Sequence, residues 1–158
     1  KEANLILESF DISELMEMVV EELTDLAEEV DIELQLDVKE PIYVKADQTL
    51  IMRMVINLIT NAITYGKQGG WVKIRLYEEG TNVVGQIIDN GIGIAEQDQE
   101  KIWHRFYRVN TARTASSNDN MGLGLSMVKW IVEKHGGTVS VESKLGEGST
   151  FTFTLPLK

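Results

Sequence analysis

Three groups of residues in this sequence have types and spacings that suit a bound ligand. The first is Asp89-Asn90-Gly91-Ile92-Gly93, which follows an apolar run. Glycine there lets the backbone turn tightly and approach a ligand where a side chain would intrude. The second is Gly122-Leu123-Gly124-Leu125-Ser126, which opens a helical apolar pattern. Backbone N–H groups and the positive end of a helix favour phosphate at such a start. Between them, residues 110–120 carry no large apolar side chain, as expected of a mobile lid over a phosphate site. The third group is Arg53, Asn57, Asn61 and Tyr65, each four residues from the last and so aligned on one helix face. Asparagine inside a helix costs up to ~0.7 kcal/mol relative to alanine, so an aligned pair indicates a polar contact worth that cost. Lys101, Arg105, Arg108 and Arg113 add a basic stretch without an acidic residue, where an anion would sit. Taken singly, each group is equally a glycine turn, a helix start or a solvated face. Their order along the chain is what joins them into one phosphate-site hypothesis.

The elements that would position these residues are legible from periodicity. Asp11 can cap a helix, with Glu14 at the capping-box position and Phe10 stapling onto Leu15. Ile12, Leu15, Met16, Val19, Leu23, Leu26 and Val30 follow at helical spacing. Residues 32–38 alternate as a strand, and residues 41–44 form a short strand or edge piece. Asp47 caps a second helix, whose apolar pairs Leu50/Ile51, Met54/Val55, Leu58/Ile59 and Ala62/Ile63 demand burial. Residues 71–77 and 82–89 read as a hairpin that delivers Asp89 to its end. A short helix is expected over 96–103. A third long helix is expected over 123–135, closed by Gly136-Gly137. Strands over 138–143 and 150–155 complete the pattern. The expected fold is α+β: a two-layer sandwich with a mixed, mostly antiparallel sheet of about five strands on three helices. Residues 1–9 read as a linker and residues 10–158 as one domain.

Composition narrows the function classes. A formal net charge of −10 opposes nucleic acid and anionic membrane as partners. Absence of cysteine removes disulfides, thiolate zinc sites and thiol catalysis. No apolar run is long enough to span a bilayer. The first residue is Lys1, so the sequence is expected to be a piece of a longer protein.

The assembled motifs resemble the catalytic ATP-binding domain of sensor histidine kinases, within the wider ATPase family that includes gyrase, a heat-shock chaperone and mismatch-repair proteins. Asn57 to Ala62 resembles the N box, Asp89 to Gly93 the G1 box, Arg105-Phe106-Tyr107-Arg108 the F box and Gly122 to Leu125 the G2 box. Gly146-Glu147-Gly148-Ser149-Thr150-Phe151 is similar to the final glycine motif. The resemblance implies that Asp89 accepts the adenine amino group, which selects ATP over GTP. It implies that Asn61 offers its amide oxygen to Mg²⁺, with Asn57 supporting phosphate or metal-bound water. Tyr65 would pack near adenine or ribose, and Gly122 and Gly124 would present N–H groups to phosphates. Arg108 would approach the γ-phosphate, while Phe106 anchors the lid. Gly91, Gly93, Ile94, Tyr107, Leu123, Leu125 and Thr150 join the nucleotide pocket. Two positions depart from the family pattern: Thr64 stands where lysine is common and Asn120 where glycine is common.

The implied reaction is transfer of the ATP γ-phosphoryl group to a histidine, with Asn61 and Arg108 as the catalytic candidates. The acceptor is expected outside this chain, because neither His104 nor His135 has the surroundings of the family's acceptor. The implied partners are the parent's own dimerisation and histidine-acceptor domain, giving a homodimer, and a response-regulator receiver domain. The implied setting is cytoplasmic, within a membrane-anchored parent. Two rivals remain: a degenerate nucleotide-sensing or docking module, and another ATPase or serine kinase of the same family.

Overall fold

Asp11 organises the start of the fold. In the computed structural model, which describes residues 4–104 and 121–157, one oxygen of its carboxylate accepts from the N–H groups of Ser13 at 3.0 Å and Ile42 at 3.2 Å. It thereby caps helix α1 (Ile12–Glu29) and ties it to the segment before strand β3 (Tyr43–Ala46). Strand β1 (Glu8–Asp11) pairs antiparallel with β3, forming a two-stranded sheet. Glu8 and Ser9, expected within a linker, are therefore already in register with Ala46 and Lys45. This second sheet was not legible in advance, because β1 is too short to show alternation.

The main sheet has five strands in the order β2-β4-β5-β7-β6. These are β2 (Glu33–Val38), β4 (Trp71–Glu79), β5 (Asn82–Asp89), β6 (Thr138–Lys144) and β7 (Gly148–Pro156). The pairing of β2 with β4 is parallel and the other three are antiparallel, giving the expected mixed sheet. A parallel pair needs a long crossover, and helix α2 (Gln48–Thr64) lies within it. Asp47 caps α2 by accepting from the Leu50 N–H at 3.2 Å. Ile51, Met54, Val55, Leu58 and Ile59 are completely buried, so α2 forms the centre of the helical layer. Helix α3 (Met121–Lys134) packs on α2 and β6.

Alternation assigns the two faces of the sheet. Val72, Ile74, Leu76, Ile87, Phe151 and Phe153 are buried in the core shared with the helices. The other face is polar: Arg75 donates to Gln86 at 2.9 Å, and Gln86 donates to Thr152 at 3.2 Å. Gly85 is the exception to side-chain filling on the core face. A Cβ there would enter the ring of Phe153. Gly85→Ala is therefore expected to lower unfolding stability by about 1–3 kcal/mol, because a packed ring must move. Urea denaturation of the two proteins checks this.

The helix expected over 96–103 is instead two 3-10 turns, Glu96–Asp98 and Lys101–Trp103. Consecutive residues turn inward here: Ile102 is 3% exposed, and the partly buried Trp103 meets Phe151 edge-on at 5.8 Å. Among the described residues, no helix is long and apolar enough to cross a membrane.

Candidate functional site

The site is built on Asp89, the last residue of β5. Strand alternation turns it to the helix side together with Ile87, and only 7% of it is exposed. Its carboxylate accepts from the Gly91 N–H at 2.8 Å and from the Ser149 N–H across the β5–β7 pair. Burial pushes its pKa up from 3.8 to about 6, and those two hydrogen bonds pull it back only in part. The carboxylate is buried, and the two backbone N–H groups leave part of its acceptor capacity unused.

The loop after Asp89 is wedged between two other elements. A Cβ on Gly91 would run into the carbonyl oxygen of Tyr65 and lie 2.8 Å from Gly66 Cα. The Ile92 N–H donates to that same Tyr65 carbonyl at 3.1 Å. Gly93 has φ +73°, and a Cβ there would enter the backbone of Lys144. The Gly146 N–H donates to the Ile92 carbonyl at 2.7 Å. One side of the loop thus rests on the end of α2 and the other on the β6–β7 turn. Close approach to neighbouring backbone is what the two glycines provide.

Helix α2 connects this loop to the second glycine motif. At its C-terminal end Tyr65 touches the Asp89 loop, and at its middle Asn57 donates to the Gly124 carbonyl at 3.4 Å. Asn61 lies between them on the same side and is 6% exposed. Among the described residues its carboxamide has no hydrogen-bond partner, although no side-chain N or O there is both fully sealed and unpaired. Its amide atoms are therefore not fully sealed. A Cβ on Gly124 would meet only Asn57, at 3.9 Å, so packing among the described residues does not require glycine there.

The other expected site residues divide. Ile94 is 9% exposed and Leu125 is 7% exposed, both within the hydrophobic core. Gly122 and Leu123 fall in the first turn of α3. Arg105, Phe106, Tyr107, Arg108, Arg113 and Asn120, with the polar segment 110–120, lie outside the described residues. Thr150 does not share Asp89's face of the sheet. It stands next to buried Phe151 on β7, and so on the outer face, in register with Ile88 and Glu142. It lines a cleft of about 430 Å³ at this end of the sheet together with Trp71, Ile88, Asp89 and Ser149.

Ser149, one residue earlier and directly opposite Asp89, is the polar neighbour that sequence reasoning missed. The Ser143 hydroxyl accepts from the Ile94 N–H at 2.8 Å and donates to the Gly148 carbonyl at 2.8 Å. With one hydrogen already committed, it accepts at 2.8 Å from the Ser149 hydroxyl. Counting alternation back from Phe151 would have revealed Ser149 as a polar residue on a buried face. His135, by contrast, is engaged at both ring nitrogens: Nδ1–H donates to the Ile131 carbonyl at 2.8 Å and Nε2 accepts from the Asp47 N–H at 3.0 Å. It holds the end of α3 to the cap of α2.

Comparison with known proteins matches this arrangement. Residues 46–158 match the model of a family described as histidine kinase-, DNA gyrase B-, and HSP90-like ATPase. The sensor-like histidine kinase SenX3 of Mycobacterium tuberculosis is 42% identical over 130 residues, covering 82% of this chain and 32% of that protein. The chain spans about a third of the length of the curated relatives it matches. The catalytic domain of histidine kinase ThkA superposes with a TM-score of 0.84 at 28% identity, over 96% of both chains. Full-length ShkA, solved in complex with AMPPNP, gives 0.85 at 27% identity, over 99% of this chain and 32% of that one.

Proposed function

Because this chain belongs to the histidine kinase-, DNA gyrase B- and HSP90-like ATPase family, as an ATP-binding catalytic domain of the histidine-kinase kind, we propose that it holds ATP between α2 and the two glycine motifs and passes the γ-phosphoryl group to a histidine outside these 158 residues. The observation that carries this reading is Asp89, a buried carboxylate held by two backbone N–H groups with acceptor capacity to spare. It accepts from the exocyclic amino group of adenine. Guanine presents a carbonyl at that position, and two acceptors facing each other leave both unpaired.

The chain's own residues supply the rest by position. Gly91 and Gly93 let the loop after Asp89 lie directly against the end of α2 and the β6–β7 turn, which sets this wall of the base pocket. Tyr65, at the end of α2, borders adenine or ribose. Gly122 and Gly124 lie in the first turn of α3, where N–H groups and the helix dipole favour phosphate. Asn61 fits a hard cation by donor chemistry, an amide oxygen that meets no partner among the described residues, with Asn57 one turn away. Mg²⁺ bound there would neutralise phosphate charge. Arg108, by the family pattern, completes the charge around the γ-phosphate, and phosphoryl transfer needs little beyond such positioning and charge stabilisation. Thr64 and Asn120 depart from the family pattern, while Asp89 and Asn61 stand as the pattern has them.

On this reading the catalytic domain begins with β1 at Glu8, and the residues before it lead from a dimerisation domain that carries the acceptor histidine. The parent is a homodimer through that domain, is anchored in a membrane, and passes its phosphoryl group to a receiver domain. The chain itself binds neither nucleic acid nor lipid, consistent with its net charge of −10.

Calorimetric titration with Mg-AMPPNP, with the guanine analogue as control, tests the site. Saturable binding of the adenine analogue alone is expected, followed by acid-labile phosphohistidine when the acceptor domain and ATP are added. A folded chain that binds no adenine nucleotide overturns the proposal. Binding without transfer leaves a nucleotide-sensing module in its place.

A further inference from the structure

The loop from Asp89 to Ile94 has little means of holding its own shape, since its tight positions are glycine. It is gripped from outside, and one grip comes from a residue no motif includes. Gln99 sits just after the first 3-10 turn, half-buried. Its side-chain NH₂ group donates to the Ile94 carbonyl at 2.9 Å and to the Ser143 carbonyl at 3.0 Å. Both amide hydrogens are thus committed, and both acceptors are main-chain groups. The N–H of the same Ile94 donates to the Ser143 hydroxyl at 2.8 Å. Ile94 is therefore tied to Ser143, near the end of β6, directly through its N–H and by way of Gln99 through its C=O. That residue meets Ser149, whose own N–H holds Asp89.

We infer that Gln99 is a positioning residue for the nucleotide site: its carboxamide clasps the loop after Gly93 to Ser143 and so maintains the geometry of Asp89 and Gly91. The inference rests on the nucleotide reading above. It assigns a positioning role to a half-buried polar side chain in a turn that no motif includes. Gln99 touches no nucleotide and acts only through Ile94 and Ser143.

Gln99→Met keeps length and volume while removing both donors. It is expected to weaken Mg-AMPPNP binding about five- to tenfold, the effect of two lost hydrogen bonds, and to narrow the preference for adenine over guanine. Hydrogen exchange should quicken at the amides of 91–94 and stay unchanged in β4 and β5. Gln99→Glu, which turns an acceptor toward two carbonyls, should bind at least as weakly. Ser143→Ala combined with Gln99→Met should cost less than the product of the single effects, because both act on one clasp. Unchanged affinity in Gln99→Met and Gln99→Glu overturns the inference while leaving the nucleotide reading standing. So do independent effects of Gln99 and Ser143, or faster exchange across β4 and β5 together with the loop, which would make Gln99 a contributor to the fold alone. Failure of the unaltered chain to bind adenine nucleotide overturns the nucleotide reading, and the clasp with it.

Discussion

Asp89→Asn is expected to weaken adenine-nucleotide binding by about a hundredfold or more, the cost of meeting a donor with a donor in a buried site. The carboxylate is 7% exposed and already takes the N–H groups of Gly91 and Ser149. Asparagine can still accept through one oxygen, but its NH₂ group must then face either Ser149 or the adenine amino group. The same substitution should remove a pH dependence. With a pKa lifted from 3.8 to about 6, Asp89 is partly protonated in mildly acidic solution. A protonated carboxyl accepts poorly, so nucleotide affinity of the unaltered chain should fall as pH drops through about 6. In Asp89→Asn it should be weak and flat.

The ligand-free fold responds with the opposite sign. Between about pH 4 and 6 the native state binds a proton at Asp89 that the unfolded chain releases. The contribution of this group to stability is therefore highest below that window and declines as pH rises through it, by an amount on the order of 3 kcal/mol. The difference in denaturation free energy between the two proteins, followed from pH 4 to 7, should trace that decline. A constant difference would remove the buried-carboxylate account, and wild-type nucleotide affinity in Asp89→Asn would remove Asp89 from the site. Function at neutral pH thus requires a charged form that the fold disfavours.

Asn61→Ala is the second large expectation. Its carboxamide lies on α2 between the Tyr65 contact with Gly91 and the Asn57 contact with Gly124. Removing an amide oxygen that would bind Mg²⁺ should reduce phosphoryl transfer about a hundredfold or more, comparable to losing one preorganised electrostatic group. Affinity for AMPPNP should also lose its magnesium dependence, while binding without metal changes little. Since the side chain makes no hydrogen bond among the described residues, the unfolding midpoint should scarcely move. Retained magnesium dependence in Asn61→Ala would place the metal elsewhere. A large stability loss would show that the amide belongs to the fold.

Much of this arrangement was legible in the chain because it is local. Caps at Asp11 and Asp47 act within three residues, so their side-chain chemistry alone announces them. The paired apolar positions of α2 require burial on both flanks, and the asparagines at a spacing of four must then share its remaining side. Close approach at Gly91 and Gly93 follows from glycine itself. Thr150 shows the limit. A motif read as a string does not say which of Ser149 and Thr150 faces Asp89, and the register of β7 against β5 places Ser149 there.

Local chemistry, then, determined the helices, their caps and the turns that carry the site, because each depends on neighbours within one or two turns of chain. Long-range contact decided the rest. Parallel pairing of β2 with β4 joins residues 38 apart, as Glu33 with Trp71, and β1 finds β3 across more than thirty residues. The lifted pKa of Asp89 arises from burial, which no single segment controls. The bond from Gln99 to Ser143 spans 44 residues and involves a main-chain acceptor, so no side-chain pattern could disclose it.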